Sequence, residues 1–198
     1  MTSPTRFTFV PAGRLDGWVE RFSSAHGGCD TLTDTDDGVR LNMKDGTLAV
    51  LSPPWPDDGR PGKGPDLLHR LVSLASQERT MGIVLMRRGG YAIGVASSGK
   101  LQAHKCGGKH AQPKKNNSTL ILKAAEDGSR VFSANTFEYL ATGGDRELVK
   151  AVLSESVLRA YTLRPRIDPL QVGEPNLAVL SKAAADFASI RVRVTDSQ

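Results

Sequence analysis

The run KLQAHKCGGKHAQPKKNNS, from Lys100 to Ser118, gathers residue types that do chemistry. Five lysines (Lys100, Lys105, Lys109, Lys114 and Lys115), two histidines (His104 and His110), Cys106 and a lone glutamine, Gln112, occur there without an acid. Three chemistries compete for such a set. Zinc could draw on His104, Cys106 and His110, with His26 and Cys29 added, but the spacing fits no standard knuckle. No metal and no cofactor are therefore expected. Nucleophilic catalysis by Cys106 would need a nearby base held by an orienting acid. No acid is near, and His104 lies only two residues away on the same expected strand, so an inert thiol is expected. The third chemistry is attraction of phosphate by lysine, and the charge distribution favours it.

The chain has 198 residues and a net charge of +5. Residues 1–78 hold eleven acids and eight Lys/Arg, and residues 126–198 hold ten acids and nine Lys/Arg. Between Glu78 and Glu126 there is no acid but nine cations: Arg79, Arg87, Arg88, Lys100, Lys105, Lys109, Lys114, Lys115 and Lys123. A one-signed local field attracts polyanions, of which phosphate backbones are the commonest. The competing reading is a solvated basic edge. Two cysteines are too few for a disulfide framework and point to a reducing compartment. The N-terminal MTSPTRFTF lacks an apolar signal core, and no uncharged apolar run approaches the ~20 residues of a membrane helix. A soluble cytoplasmic protein without membrane partners is expected.

Periodicity supplies the elements that position these residues. RFTFVPA reads as a strand, RLDGWVERFSSAHGG as a helix, and GVRLNMKDGTLAVL as a hairpin around Lys44-Asp45-Gly46. SPPWPDDGRPGKGP, with five prolines and three glycines, reads as a linker or a loop with no regular hydrogen bonding, and sets an expected domain boundary: residues 1–64, then 65–198. A helix over 66–78 follows, with Asp66 as N-cap. MGIVLMR, YAIGVAS and KLQAHKC form a three-stranded meander. TLILKAAEDGSRVF is a helix, FEYLAT a strand, GGDRELVKAVLS a turn and helix, AYTLRPRI a strand and PNLAVLSKAAADFASI a helix. RVRVT ends the pattern as an edge strand or tail. From residue 81 the order is β-β-β-α-β-α-β-α, that of an RNase H-like mixed sheet, here preceded by a small α/β region. The expected class is α+β. A metal-dependent nuclease of that fold would need carboxylates on the first strand and nearby, and MGIVLMRRGG supplies none.

The loop over Gly107–Asn117 is long for a strand-to-helix connection, where ~2–6 residues are usual. Excess length with glycine and lysine marks a substrate-facing loop. TGGDRE, Thr142 to Glu147, opens a helix, but Asp145 at the N-cap position would repel an anion, so it is read as structural.

Several of these runs, in order, resemble one family. RRGGY at Arg87–Tyr91, TGGDR at Thr142–Arg146, EPNLAVL at Glu174–Leu180 and the opening GRLDGWVERFSSAHGG are similar to segments of the actinobacterial and chloroflexi Vms-like release factors. These are relatives of the catalytic domain of eukaryotic and archaeal class I release factors. The resemblance implies hydrolysis of peptidyl-tRNA on the large ribosomal subunit, with a loop glutamine placing water against the ester carbonyl. It implies Gln112 as the catalytic candidate, on a loop with Gly107 and Gly108. It also implies Arg87, Arg88, Lys105, Lys109, Lys114 and Lys115 as contacts to tRNA or rRNA. The chain departs from the family after Gln112. PKKNNSTLILKAAEDG replaces the glycine-rich Ser-Gln-Gln run, and lysine replaces arginine, giving point charges without a planar fork. Two readings stay open: a peptidyl-tRNA hydrolase, and a non-catalytic RNA- or ribosome-binding protein that has lost the glutamine chemistry.

Overall fold

The protein is described from a computed structural model, which covers residues 5–108 and 117–197. Nine strands are formed among these residues: β1 (Thr5–Val10), β2 (Cys29–Thr35), β3 (Gly38–Met43), β4 (Leu48–Ser52), β5 (Thr80–Arg87), β6 (Gly90–Ser97), β7 (Lys100–Gly108), β8 (Tyr139–Gly144) and β9 (Ile190–Thr195). Five α-helices accompany them: α1 (Leu15–Ala25), α2 (Leu67–Ala75), α3 (Asn117–Ser133), α4 (Arg146–Ser154) and α5 (Leu177–Phe187). The chain divides into two compact units, residues 1–77 with 188–198, and residues 78–187.

The first unit is a five-stranded antiparallel sheet in the order β1-β9-β4-β3-β2. Alternation in β3 and β9 sends Val39, Leu41, Met43, Val192 and Val194 to one face, where Leu15, Leu71 and Ala75 of α1 and α2 complete a core. The expected boundary at 64/65 falls inside this unit. The Pro/Gly-rich stretch is tied onto α2 instead of tethering two bodies. Lys63 N–H donates to Ser73 Oγ, and Gln77 Nε2 donates to the carbonyls of Arg60 and Pro61. A Cβ on Gly62 would lie 1.9 Å from the Arg70 carbonyl oxygen, so the glycine permits that approach. RVRVT is an interior strand of this sheet, not an edge or tail, because β1 and β4 pair on its two sides.

The second unit is a four-stranded sheet in the order β7-β6-β5-β8. The meander is antiparallel, and β8 lies parallel to β5. Met81 to Met86 of β5 are all buried, as a strand covered on both faces requires. Val84, Met86, Tyr91, Ile93 and Val95 pack against α3 and α4. Gly94 faces Leu180 of α5 on the other side.

The strand expected over AYTLRPRI is absent. Arg159–Leu163 is a 3-10 helix. Only two isolated parallel bridges, Leu140 to Arg166 and Gly143 to Leu170, follow β8. Pro169 interrupts the pairing after Ile167. The rung after Ile167 N–H to Leu140 O would need an N–H at residue 169, and proline has none. Leu170 N–H donates to Thr142 O instead, one residue late, so the ladder slips and stops. The α+β class expected from the sequence is met, and the strand expected over AYTLRPRI is not formed.

Candidate nucleic-acid interface

The end of the second sheet collects most of the residues singled out in the sequence. Arg87 closes β5 and pairs with Gly90 at the start of β6 across the Arg88-Gly89 turn. Gly90 also pairs with Gly108, the last residue of β7, and Tyr91 pairs with Gly107. Gly107 and Gly108 are therefore strand residues, a correction to the loop expected to begin at Gly107. β7 ends at Gly108, directly beside the Arg87-Arg88 turn. Lys109, Gln112, Lys114 and Lys115 lie outside the described residues.

Glycine is required by packing at Gly90 and Gly107 of this sheet end, whereas at Gly89 the neighbour is the movable end of a side chain. A Cβ on Gly89 would lie 1.8 Å from Glu174 Oε1, and one on Gly90 2.7 Å from the Gly107 carbonyl oxygen. A Cβ on Gly107 would lie 2.5 Å from both Cζ and Oη of Tyr91. The Tyr91 ring is fully buried under that strand end, and its hydroxyl donates to Asp127 Oδ2 of α3 at 2.5 Å. Burial first, and the Asp127 carboxylate second, push the Tyr91 phenol well above its ordinary value. Arg130 reaches back to Asp127 Oδ1 at 3.3 Å, so both carboxylate oxygens of this buried acid have partners.

Arg87 and Arg88 are exposed. Arg87 Nε donates to the Val172 carbonyl at 2.9 Å, which anchors its stem to the 171–174 segment. A shallow cleft is lined here by Arg87, Arg88, Gly89, Gly144, Asp145, Gln171 and Glu174. The stretch that is acid-free along the chain is therefore not acid-free in space. The fold brings Asp145 and Glu174 beside its two arginines, and Asp127 beneath. Asp145 acts as the expected N-cap of α4, accepting from Glu147 N–H and Leu148 N–H. Gly144, at φ +91°, makes the tight turn into that cap.

Other residues separate from this end. Lys105 is exposed on β7, opposite Ile93. Arg79 is 1% exposed, and its Nη1 donates to the Tyr139 hydroxyl. It is a core group, so it adds nothing to the exposed field that counting along the chain assigned to it. Burial raises the Cys106 thiol above its usual range, as an unreactive thiol requires. Among the described residues, no three His, Cys, Asp or Glu side chains are grouped to hold a metal. His26 instead pairs with Asp45 at 2.7 Å in the first unit. Sequence reasoning missed Asp127, Glu174 and Gln171, for which there was no local signal. It also missed a second cluster of cations beside β8.

Comparison with known proteins bears on this sheet. The family model of the Actinobacteria/chloroflexi VLRF1 release factor matches residues 115–193. That segment, under half of the chain, is thus similar to a release factor family. The VLRF1 match runs from the segment before α3 into β9, and it leaves the Arg87–Gly108 hairpin outside. No curated protein matches. Two solved structures match at low identity. The structure titled Vms1 mitochondrial localization core has a TM-score of 0.48 at 13% identity, covering 87% of this chain and 79% of its own. An archaeal translation termination factor, aRF1, has a TM-score of 0.40 at 12% identity, covering 94% of this chain and 68% of its own.

Proposed function

We propose that this protein acts in translation at the large ribosomal subunit, meeting tRNA or rRNA with the open end of its second sheet. The observation that carries the reading is a convergence. The exposed Arg87-Arg88 turn and the end of β7, which the lysine-bearing segment follows in sequence, stand at one sheet end, in a chain of which residues 115–193 match a release factor family. Cations at the Arg87-Arg88 turn, on Lys105 and on Lys109, Lys114 and Lys115 bind phosphates. Gln112 is the candidate to orient water against the peptidyl-tRNA ester, with strand-end N–H groups beside the developing oxyanion.

The decisive measurement is release of peptide from peptidyl-tRNA on isolated large subunits. Hydrolysis that collapses in Gln112→Ala supports the enzyme. A second reading, a binder without hydrolysis, is favoured by one specific observation. Only residues 109–116 separate β7 from α3, and that span holds a single glutamine. Salt-sensitive subunit binding with no release above background selects the binder. Binding that is unchanged when Lys109, Lys114 and Lys115 become alanine overturns the RNA role of the segment in both readings.

A further inference from the structure

A different cluster of cations lies beside β8. The ladder that stops at Pro169 leaves a cleft of about 500 Å³ between β8, α4 and the 3-10 helix at Arg159–Leu163. Its lining carries Arg146, Lys150, Arg159 and Arg166, and no acid. All four cations are exposed, and none has a carboxylate partner among the described residues. The acids nearest in sequence, Asp145, Glu147, Glu155 and Asp168, do not line the cleft, and the Asp145 carboxylate is engaged by the N–H groups of α4. Val149, Leu153, Ile167 and Pro169 add an apolar part, and Thr142, Ser154 and Thr162 add hydroxyls.

Four unpaired like charges around one cavity repel one another, a cost that an anion of matching size relieves. The volume falls within the ~300–1,000 Å³ of small-ligand sites. Apolar walls beside the cations suit a ligand with a flat, weakly polar part as well as charge. Inorganic anions have no such part. A nucleotide has both: phosphate for the guanidinium forks, and a base for the Val149–Ile167 wall.

We propose that this cleft is a nucleotide-phosphate site, occupied either by one unit of an RNA strand or by a free nucleotide. It shares Gly144 with the cleft at the Arg87-Arg88 turn but none of that cleft's charged residues, and it stands or falls independently of the ribosomal reading.

The test uses the full chain. Binding of a fluorescein-labelled single-stranded oligouridylate is followed by anisotropy across a salt series. Wild type is compared with Arg159→Ala/Arg166→Ala, and both are repeated in an Arg87→Ala/Arg88→Ala background. The expected result is a loss of at least about tenfold in either background, with the log-log salt slope reduced by roughly 0.7 per phosphate contact removed. Unchanged oligonucleotide affinity and slope in both backgrounds, together with no AMP binding that the double variant loses, overturn the proposal. If Arg159→Ala/Arg166→Ala fails to fold, Arg146→Ala/Lys150→Ala on the exposed side of α4 takes its place. Unlabelled AMP separates the two sources. Direct AMP binding that the double variant loses assigns a free nucleotide, and loss of oligonucleotide binding without AMP binding assigns the strand. Failure of the ribosomal reading would show elsewhere, as subunit binding indifferent to Arg87 and Arg88.

Discussion

Tyr91 and Gly107 are the residues that hold the sheet end in shape. The ring fills the space that any Cβ at residue 107 would need, and the hydroxyl satisfies a buried carboxylate. Gly107→Ala should therefore destabilise the protein by about 1–3 kcal/mol, the cost of overpacking a rigid site. Gly108→Ala, whose Cβ meets only a backbone oxygen at 3.3 Å, should cost much less. Paired denaturant curves on the two variants check that order. Tyr91→Phe leaves Asp127 short of its buried partner and should cost about 1–3 kcal/mol. It also removes a pH dependence. The folded-state pKa of Tyr91 lies above the unfolded value of 10.0, so between the two the native state keeps a proton that the unfolded chain has released. The Tyr91 contribution is full below pH 10 and declines as pH rises above it. Wild-type stability should fall between pH 9 and pH 11 more steeply than that of Tyr91→Phe. Parallel slopes in the two proteins would sink this assignment.

At the scale of elements, the turn into α4 carries two roles that one substitution separates. Asp145 caps the helix and also places a negative charge beside Arg87 and Arg88. Asparagine caps about as well as aspartate, so Asp145→Asn should leave stability within roughly 0.5 kcal/mol, whereas Asp145→Ala should lose about 1 kcal/mol. If the sheet end meets RNA, Asp145→Asn should bind it more tightly, because a repelling charge has gone. Anisotropy with labelled RNA measures this, and weaker binding by Asp145→Asn would contradict the interface. The elements around this turn were legible in the sequence where the pattern is local. The apolar run of β5, the three-stranded meander and the helices α3, α4 and α5 all appear as read. AYTLRPRI was misread because it has strand composition, while Pro165 and Pro169 supply no N–H groups to a ladder. SPPWPDDGRPGKGP left a linker and a loop open because Pro/Gly content signals irregular backbone. It does not distinguish a tether from a loop pinned by Ser73 and Gln77. The glycines of the sheet end were visible, but the backbone and Tyr91 contacts that require Gly90 and Gly107 are long-range.

For the whole molecule, charge along the chain and charge in space are different quantities. Nine cations between Glu78 and Glu126 looked like one basic patch. Folding buries Arg79 against Tyr139, sets Asp145 and Glu174 beside Arg87 and Arg88, and leaves Arg146, Lys150, Arg159 and Arg166 as an acid-free cluster elsewhere. None of those four lies in the acid-free stretch; acids surround them in sequence and not in the cleft. Salt dependence can tell whether the two surfaces serve one polyanion or two. Each phosphate contact released from a single strand changes the log-log slope by roughly 0.7. Arg87→Ala/Arg88→Ala should lower the slope for large-subunit binding by about 1.4 if both arginines touch phosphate. Combining it with Arg159→Ala/Arg166→Ala should lower it by about 2.8, four phosphate contacts at roughly 0.7 each, if the same RNA spans both surfaces. A combined slope no smaller than that of the Arg87/Arg88 variant alone would mean that the ribosomal RNA touches the sheet end only. The cleft beside β8 would then be reserved for a separate nucleotide ligand, whose binding the AMP titration reads directly.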